Sequence, residues 1–357
     1  MKRKMSIQNL RKAIDQLDEK LIAILNKRTK LAIVIGRLKE QLDKAVYMPA
    51  REQQVYKRIK KFNKGPLNEK ALMAVYREIM SGTLMLQKPM KVAYLGPLAT
   101  FTHLASLKKF GSQVEYVGSA TITDVFSEVE RDNCDYGVVP VENSIEGAVN
   151  HTLDMMVDSD LKICSEILLD ISHNLLANCA LDKIKKIYSN PQVFGQCRLW
   201  IESNLPNCEL IEVSSTTKAA EIAAREKNSA ALASSLAARM YKLKLLAESV
   251  EDSPHNVTRF LVIGKKEANA TGSDKTSVVF SVKDRVGALY DMLASFKLAK
   301  VNLTKIESRP SKKKAWDYYF FMDFQGHISE PQIQKTLAQL ESQCNFLKVL
   351  GSYPQSV

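Results

Sequence analysis

Two groups of residues in this chain of 357 carry side chains suited to chemistry. In the first, apolar residues fall at Leu10, Ile14, Leu17, Leu21 and Ile24, then at Leu31, Ile35, Leu38 and Leu42, in alternating steps of four and three. The missing member of that heptad series is Arg28. A guanidinium in an apolar seam costs several kcal/mol unless an anion meets it, so Arg28 asks for a carboxylate side chain or an anionic ligand. Lys39 lies roughly 20° around the same helix and roughly 16 Å along it, placed to grip one ligand from the other end. Arg11 is about 25 Å from Arg28 and about 100° off that face, so a straight helix cannot bring it to the same site. If it serves a site, that site belongs to a neighbouring subunit. As lone residues, Arg11 and Lys39 equally fit the flanking charges of a coiled coil.

The second group is uncharged. Short polar islands recur at element boundaries: GPLATFTHLA (96–105), VENSIEG (141–147), SNPQVFGQC (189–197), VSSTTKAA (213–220) and NVTRFLVIG (256–264). The segment from Tyr136 to Met156 reads as a short buried strand at Val138 to Val141 feeding a helix with apolar spacing at Ala148, Val149, Leu153 and Met156. Strand-to-helix junctions of α/β sheets gather backbone N–H groups and short polar side chains into a ligand crevice. Asn143 with Glu146 also fits an ordinary capping box, and each island taken singly fits a turn or a cap. The first island lacks the GK[ST] ending of a phosphate loop, which argues against nucleotide binding.

The elements needed to position these groups divide the chain in three. Residues 1–89 read as helices: one long helix from Leu10, a second from Ala50 after a loop at 43–49, and a third from Glu69 to about Leu86. Residues 90–267 alternate strands (91–96, 114–117, 136–141, 162–168, 173–178, 185–189, 208–213, 259–264) with helices (near 121–132, 193–203, 216–227, 229–240), an α/β pattern of two lobes. Residues 275–352 follow a linker-like NATGSDK and read β-α-β-β-α-β, a ferredoxin-like unit.

The bulk numbers bound the function. The net charge of +12 permits nucleic-acid binding or capture of small polyanions. The basic residues are spread, however, with short clusters only at 183–186 and 312–314, the latter reading as a solvated turn. No apolar stretch approaches a membrane span, and the basic start lacks a signal peptide's apolar run, so a cytoplasmic protein is expected. The six cysteines show no CxxC pair and the histidines no HExxH, so neither disulfide nor metal is indicated.

Three resemblances follow from these motifs. LRKAIDQLDEKLIAILNKRTKLAIVIGRLK, PAREQQV and REIMSGTLMLQ resemble an all-helical chorismate mutase of the intertwined-dimer type. The resemblance implies carboxylate binding by Arg11, Arg28, Arg51 and Thr83, donation by Lys39 and Gln87 to the ether oxygen as the bond breaks, and a Glu52 that orients the ring hydroxyl. Met48 stands where many members carry an acidic residue. The middle islands resemble prephenate dehydratase, with TRF at 258–260 as its signature. That implies Thr258 as the critical residue, with Asn143, Ser144, Ser189, Gln196, Thr100 and Thr102 around the substrate. Asn190 replaces a histidine common in relatives, so no histidine acid stands there. GALY (287–290) and ESRP (307–310) resemble the phenylalanine-binding motifs of ACT regulatory domains, implying Gly287, Ala288, Leu289, Glu307, Ser308, Arg309 and Pro310 as effector contacts.

The expectation is a multidomain homo-oligomer: an all-α three-helix mutase domain, an α/β two-lobed dehydratase domain and an α+β ferredoxin-like ACT domain. It would turn chorismate into prephenate and prephenate into phenylpyruvate, without cofactor, under feedback by L-phenylalanine. Two alternatives stay open: a dehydratase whose N-terminal helices only dimerise, and an ACT-containing regulator that binds nucleic acid.

Overall fold

A computed structural model describes residues 6–42, 45, 47–282, 285–311 and 318–356; the basic cluster at 312–314 and the start of the WDYYFFMD strand lie outside the described residues. Helices α1 (Ile7–Gln41), α2 (Pro49–Phe62) and α3 (Glu69–Gln87) form the N-terminal region. Their starts follow local chemistry: the Ser6 and Asn68 side chains cap α1 and α3, and Pro49 opens α2 where no N–H is needed. Helix α3 approaches α1 closely at Gly36, where an added Cβ would meet Gln87 Cβ at 2.8 Å. Among the described residues, no helix is long and apolar enough to cross a membrane.

The middle region has two sheets. Strands β1 (Lys91–Leu95), β2 (Glu115–Ser119), β3 (Tyr136–Asn143), β4 (Gly147–Ala148) and β5 (Lys162–Asp170) belong to the first, with helices α4 (Phe101–Phe110), α5 (Ile122–Glu130) and α6 (Asn150–Asp158) between them. The second contains β6 (Asn174–Ala177), β7 (Lys186–Ser189), β8 (Glu209–Glu212), β9 (Ser229–Ala233) and β10 (Lys244–Ala247), with α7 (Pro191–Gln196), α8 (Arg198–Asn204), α9 (Thr216–Arg225) and α10 (Ser235–Met240). Strand β11 (Val257–Gly264) then returns to the first sheet, whose order is β2-β1-β3-β11-β5, with β4 on β3. The second runs β10-β6-β9-β7-β8. The chain therefore crosses between lobes twice, at residues 171–173 and 248–256, and β11 lies antiparallel between β3 and β5.

Two local expectations are corrected. Residues 229–240 form a strand and a short helix, because the buried SAALA run supplies small side chains to the centre of a sheet and Ser234 caps a new helix at Ala237 N. Tertiary burial overrides the helix propensity of alanine there. Asn143 does not cap the following helix, which begins at Asn150; its Oδ1 instead accepts from Ile145 N (2.9 Å) and Glu146 N (3.1 Å) in a turn that closes β3.

The C-terminal region comprises β12 (Asp274–Val282), α11 (Ala288–Leu298), β13 (Leu303–Pro310), β14 (Tyr318–Gln325), α12 (Pro331–Gln343) and β15 (Cys344–Pro354). Its antiparallel sheet runs β13-β14-β12-β15, the expected β-α-β-β-α-β arrangement. Tyr319, Phe321, Leu350 and Tyr353 from this sheet pack in one apolar cluster with Phe126, Leu153 and Ile163, so the third sheet is seated on the first.

Candidate active sites

A cavity of about 530 Å³ opens among the three N-terminal helices, and Arg28, Lys39, Arg51, Glu52, Thr83 and Gln87 all line it. Helix spacing places Arg28 and Lys39 on one side, α2 supplies Arg51 and Glu52 from its first turn, and α3 supplies Thr83 and Gln87. Thr83 donates its hydroxyl to Ile79 O (2.6 Å), which leaves Oγ1 to accept from Arg28 Nη1 at 3.3 Å. That bond aims the guanidinium across the cavity. Burial first, and the Arg51 charge second, lower the Lys39 pKa.

Arg28, Lys39, Arg51, Arg77 and Lys109 give this cavity its positive lining, with Glu52 among them as the carboxylate. The charge of such a lining suits a small dianion. Met48 also faces it, whereas Arg11 is exposed on α1 and does not. Arg77, Tyr47 and Lys109 are contributors that the sequence reading passed over, the last two because their role depends on contacts distant in sequence.

In the middle region, Thr258 sits directly opposite Asn143 in the antiparallel pairing of β11 and β3. The two backbone bonds to Asn143 Oδ1 settle the orientation of its amide, so Nδ2 donates both to Thr258 Oγ1 (2.8 Å) and to Asn256 Oδ1 (2.7 Å). Asn256 Nδ2 in turn donates to Gln196 Oε1 at 3.1 Å, and His173 Nε2 reaches the same oxygen at 3.0 Å. Gln196 Nε2 donates to Glu146 Oε1 (2.9 Å), whose other oxygen accepts from Gln192 Nε2 (3.0 Å). Thr258 thus accepts from Asn143 and keeps its own hydroxyl hydrogen for another partner.

This chain of amides spans both lobes and both crossings. His173 is 2% exposed, and burial holds its pKa below the usual imidazole value despite opposing effects of Gln196 and Glu251. With Nε2 donating to Gln196, its buried Nδ1 has no hydrogen-bond partner among the described residues. His173 and Asn256 were missed in sequence, although the polar DISHN break between two apolar strands marked the first.

The Ser144, Thr100 and Ser189 side chains bond to backbone. Ser144 Oγ donates to His255 O and accepts from Val257 N, both at 2.9 Å, tying the second crossing to β3. Thr100 Oγ1 donates to Leu95 O and caps α4 at His103 N. Thr102 is buried in the first turn of α4, and the buried Ser189 donates to Leu232 O at 3.0 Å.

Residues 10–88 match the family chorismate mutase type II, residues 92–268 prephenate dehydratase, and residues 276–342 the ACT domain. A bifunctional chorismate mutase/prephenate dehydratase of Aquifex aeolicus (strain VF5) is 50% identical over 356 residues, covering 98% of each chain. The chain belongs to the bifunctional chorismate mutase/prephenate dehydratase family. A namesake from Pseudomonas aeruginosa is 46% identical, again over 98% of both chains. Among solved structures, the prephenate dehydratase of Arthrobacter aurescens in complex with L-Phe superposes with a TM-score of 0.69 at 33% identity, covering 74% of this chain and 90% of that one.

In this member of the family the ACT sheet is bound to the dehydratase strands by ion pairs. Arg309 of the ESRP motif donates Nη2 to Asp154 Oδ2 of α6 at 2.5 Å and Nε to Oδ1, so its guanidinium is engaged with the neighbouring domain. Lys305 reaches Glu142 Oε2 at 2.9 Å. Gly287 sits at φ +79° as the residue before α11, with Ala288 buried and Leu289 half-buried behind it. Glu307 is half-buried, and Ser308 and Pro310 are exposed, on edge strand β13.

Proposed function

We propose that the helical cavity rearranges chorismate to prephenate and that the amide-linked cleft converts prephenate to phenylpyruvate. Chorismate is a dicarboxylate whose rearrangement is pericyclic, so positioning and charge stabilisation suffice. Arg28 and Arg51 hold its carboxylates, Lys39 and Gln87 donate to the ether oxygen as charge develops there, and Thr83 holds Arg28. Glu52 orients the ring hydroxyl. Arg11 completes the site of a second protomer in a homo-oligomer; the exposed apolar side chains of α1, among them Leu17, Leu21, Ile24 and Leu31, support an interface along that helix.

Prephenate loses carbon dioxide and its hydroxyl together, driven by aromatisation. The observation that carries this assignment is the Thr258 hydroxyl, which accepts from Asn143 and so keeps its hydrogen for another acceptor. It donates to the departing oxygen, while Asn143, Gln196 and their neighbours Ser144, Ser189, Thr100 and Thr102 shape the substrate site. L-Phenylalanine binds the ACT domain at Gly287 to Leu289 and Glu307 to Pro310 and slows the dehydratase of a cytoplasmic enzyme. Purified protein given chorismate, with and without phenylalanine, tests all of this at once. Chorismate loss, phenylpyruvate formation and suppression of the latter by phenylalanine are expected; prephenate turnover without chorismate loss would leave the dehydratase alone standing.

A further inference from the structure

The helical cavity is walled in part by the dehydratase domain and by the linker that follows it. Tyr47, in the segment between α1 and α2, is 5% exposed, and its ring lies 5.0 Å from Phe110 and 5.3 Å from Tyr136 of the dehydratase body. Tyr136 donates its hydroxyl to Tyr47 O at 3.3 Å. The Tyr47 hydroxyl donates to Glu52 Oε2 at 2.9 Å, and the Lys109 ammonium, from the last turn of α4, reaches the same oxygen at 2.9 Å. Asn269 and Ala270, ahead of β12, line the cavity from the other side.

The pair between Lys109 and Glu52 is sheltered, with side-chain exposures of 20% and 11%, so it is far less screened than a surface pair. Glu52 stands beside Arg51 in the first turn of α2, which follows the buried Tyr47. Tyr47 and Lys109 share Glu52 Oε2, and Tyr56 also hydrogen-bonds this carboxylate, so a cation delivered from outside the mutase helices joins two tyrosines of the mutase region in fixing where it points.

Resting on the mutase reading above, we propose that Lys109 of the dehydratase domain is a positioning residue for chorismate: it holds Glu52, and Glu52 holds the ring hydroxyl. The mutase site is thus completed by the domain that catalyses the next reaction. The hydroxyl is unchanged by the rearrangement, so its contact is the same in ground and transition states. Losing it raises KM rather than lowering kcat.

In the full chain, Lys109→Met is expected to raise the chorismate KM about tenfold with kcat changed less than about threefold. Lys109→Arg should return KM to within about threefold of the parent, with prephenate turnover at the parental rate in both variants. Unchanged mutase kinetics in Lys109→Met, a loss confined to kcat, or a loss that arginine does not restore or that the dehydratase shares, overturns the proposal. A parent protein without chorismate turnover would sink the mutase reading itself, and that is visible before any substitution is made.

Discussion

Arg259 Nη1 and Asp323 Oδ2 lie 2.6 Å apart across the boundary between the dehydratase strands and the ACT sheet. Arg259 follows Thr258 on β11, and alternation along a strand turns the two side chains to opposite faces, one toward the ACT domain and one toward the chain of amides that begins at Asn143. The guanidinium also donates to Glu166 Oε2 and to the Tyr353 hydroxyl, both at 2.8 Å, and is 9% exposed. Glu142, paired with Arg259 across β3 and β11 and adjacent to Asn143, is held by Lys305. Both strands that carry the cleft pair are therefore anchored to the effector domain through the residues next to it.

Removing one partner from a buried ion pair costs roughly 3–5 kcal/mol, and here Glu166 still meets the guanidinium when Asp323 is lost, so the cost falls below that range. Asp323→Ala is expected to lower the unfolding midpoint of the dehydratase and ACT regions and to reduce prephenate turnover, with chorismate turnover retained. Arg259→Lys should not restore the parent, since an ammonium cannot make three directed bonds to Glu166, Asp323 and Tyr353. Thermal unfolding and the two rates decide it; a stable, fully active Asp323→Ala protein would refute the coupling.

Thr258→Val preserves shape and removes the donor. Prephenate turnover should fall on the order of 10²-fold or more, as for loss of a donor to a developing oxyanion, while KM stays near the parent value. Thr258→Ser, which keeps the hydroxyl, should retain much of the rate. Steady-state kinetics on prephenate, with chorismate turnover as the internal control, reads both.

The role proposed for Lys39 in the mutase is that of a cation, and burial lowers its pKa below the ordinary lysine value. The active form is therefore lost as pH rises through that lowered value, and kcat/KM for chorismate should decline on the alkaline side earlier than an exposed lysine would dictate. Bound dianion favours the charged ammonium, so the kcat profile should hold to higher pH than the kcat/KM profile. Lys39→Ala and Arg28→Ala should each abolish mutase turnover and spare the dehydratase. A pH-independent alkaline kcat/KM would contradict the role given to Lys39.

Burial lowers the His173 pKa in the folded protein, whereas the unfolded chain protonates near 6.5. Between these two values the unfolded state binds the extra proton, so stability is lost as pH falls through that window and regained as it rises. His173→Phe keeps a ring against Phe101, which packs edge-on at 5.4 Å, and should narrow the difference in unfolding midpoint between neutral and mildly acidic buffer. It should also depress prephenate turnover, since Gln196 loses one of the donors that orient it.

At Gly287 the backbone is left-handed, a conformation that costs a non-glycine residue roughly 1–2 kcal/mol. Gly287→Val should raise the phenylalanine concentration needed for half-inhibition while leaving basal dehydratase activity intact. Inhibition unchanged by this substitution would move the effector site away from the GALY turn.

The sequence alone determined the three-part layout, since each region has its own period: heptads in residues 10–42, alternating strands and helices in the middle, and β-α-β-β-α-β at the end. It also supplied Arg28 as the odd cation in an apolar seam and the polar islands that hold Asn143, Gln196 and Thr258. These signals are legible because period and capping are local properties of the chain. The tertiary structure alone decided which islands touch: Asn256 as the bridge between Asn143 and Gln196, His173 behind them, Lys109 on Glu52, and Arg259 turned to Asp323. It also made the alanine-rich 229–233 a strand, because burial at the centre of a sheet outweighs a propensity worth a few tenths of a kcal/mol per residue. Hydrogen bonds and ion pairs of this kind join residues tens to hundreds of positions apart, and their existence depends on distances that only the packing of one domain against another creates.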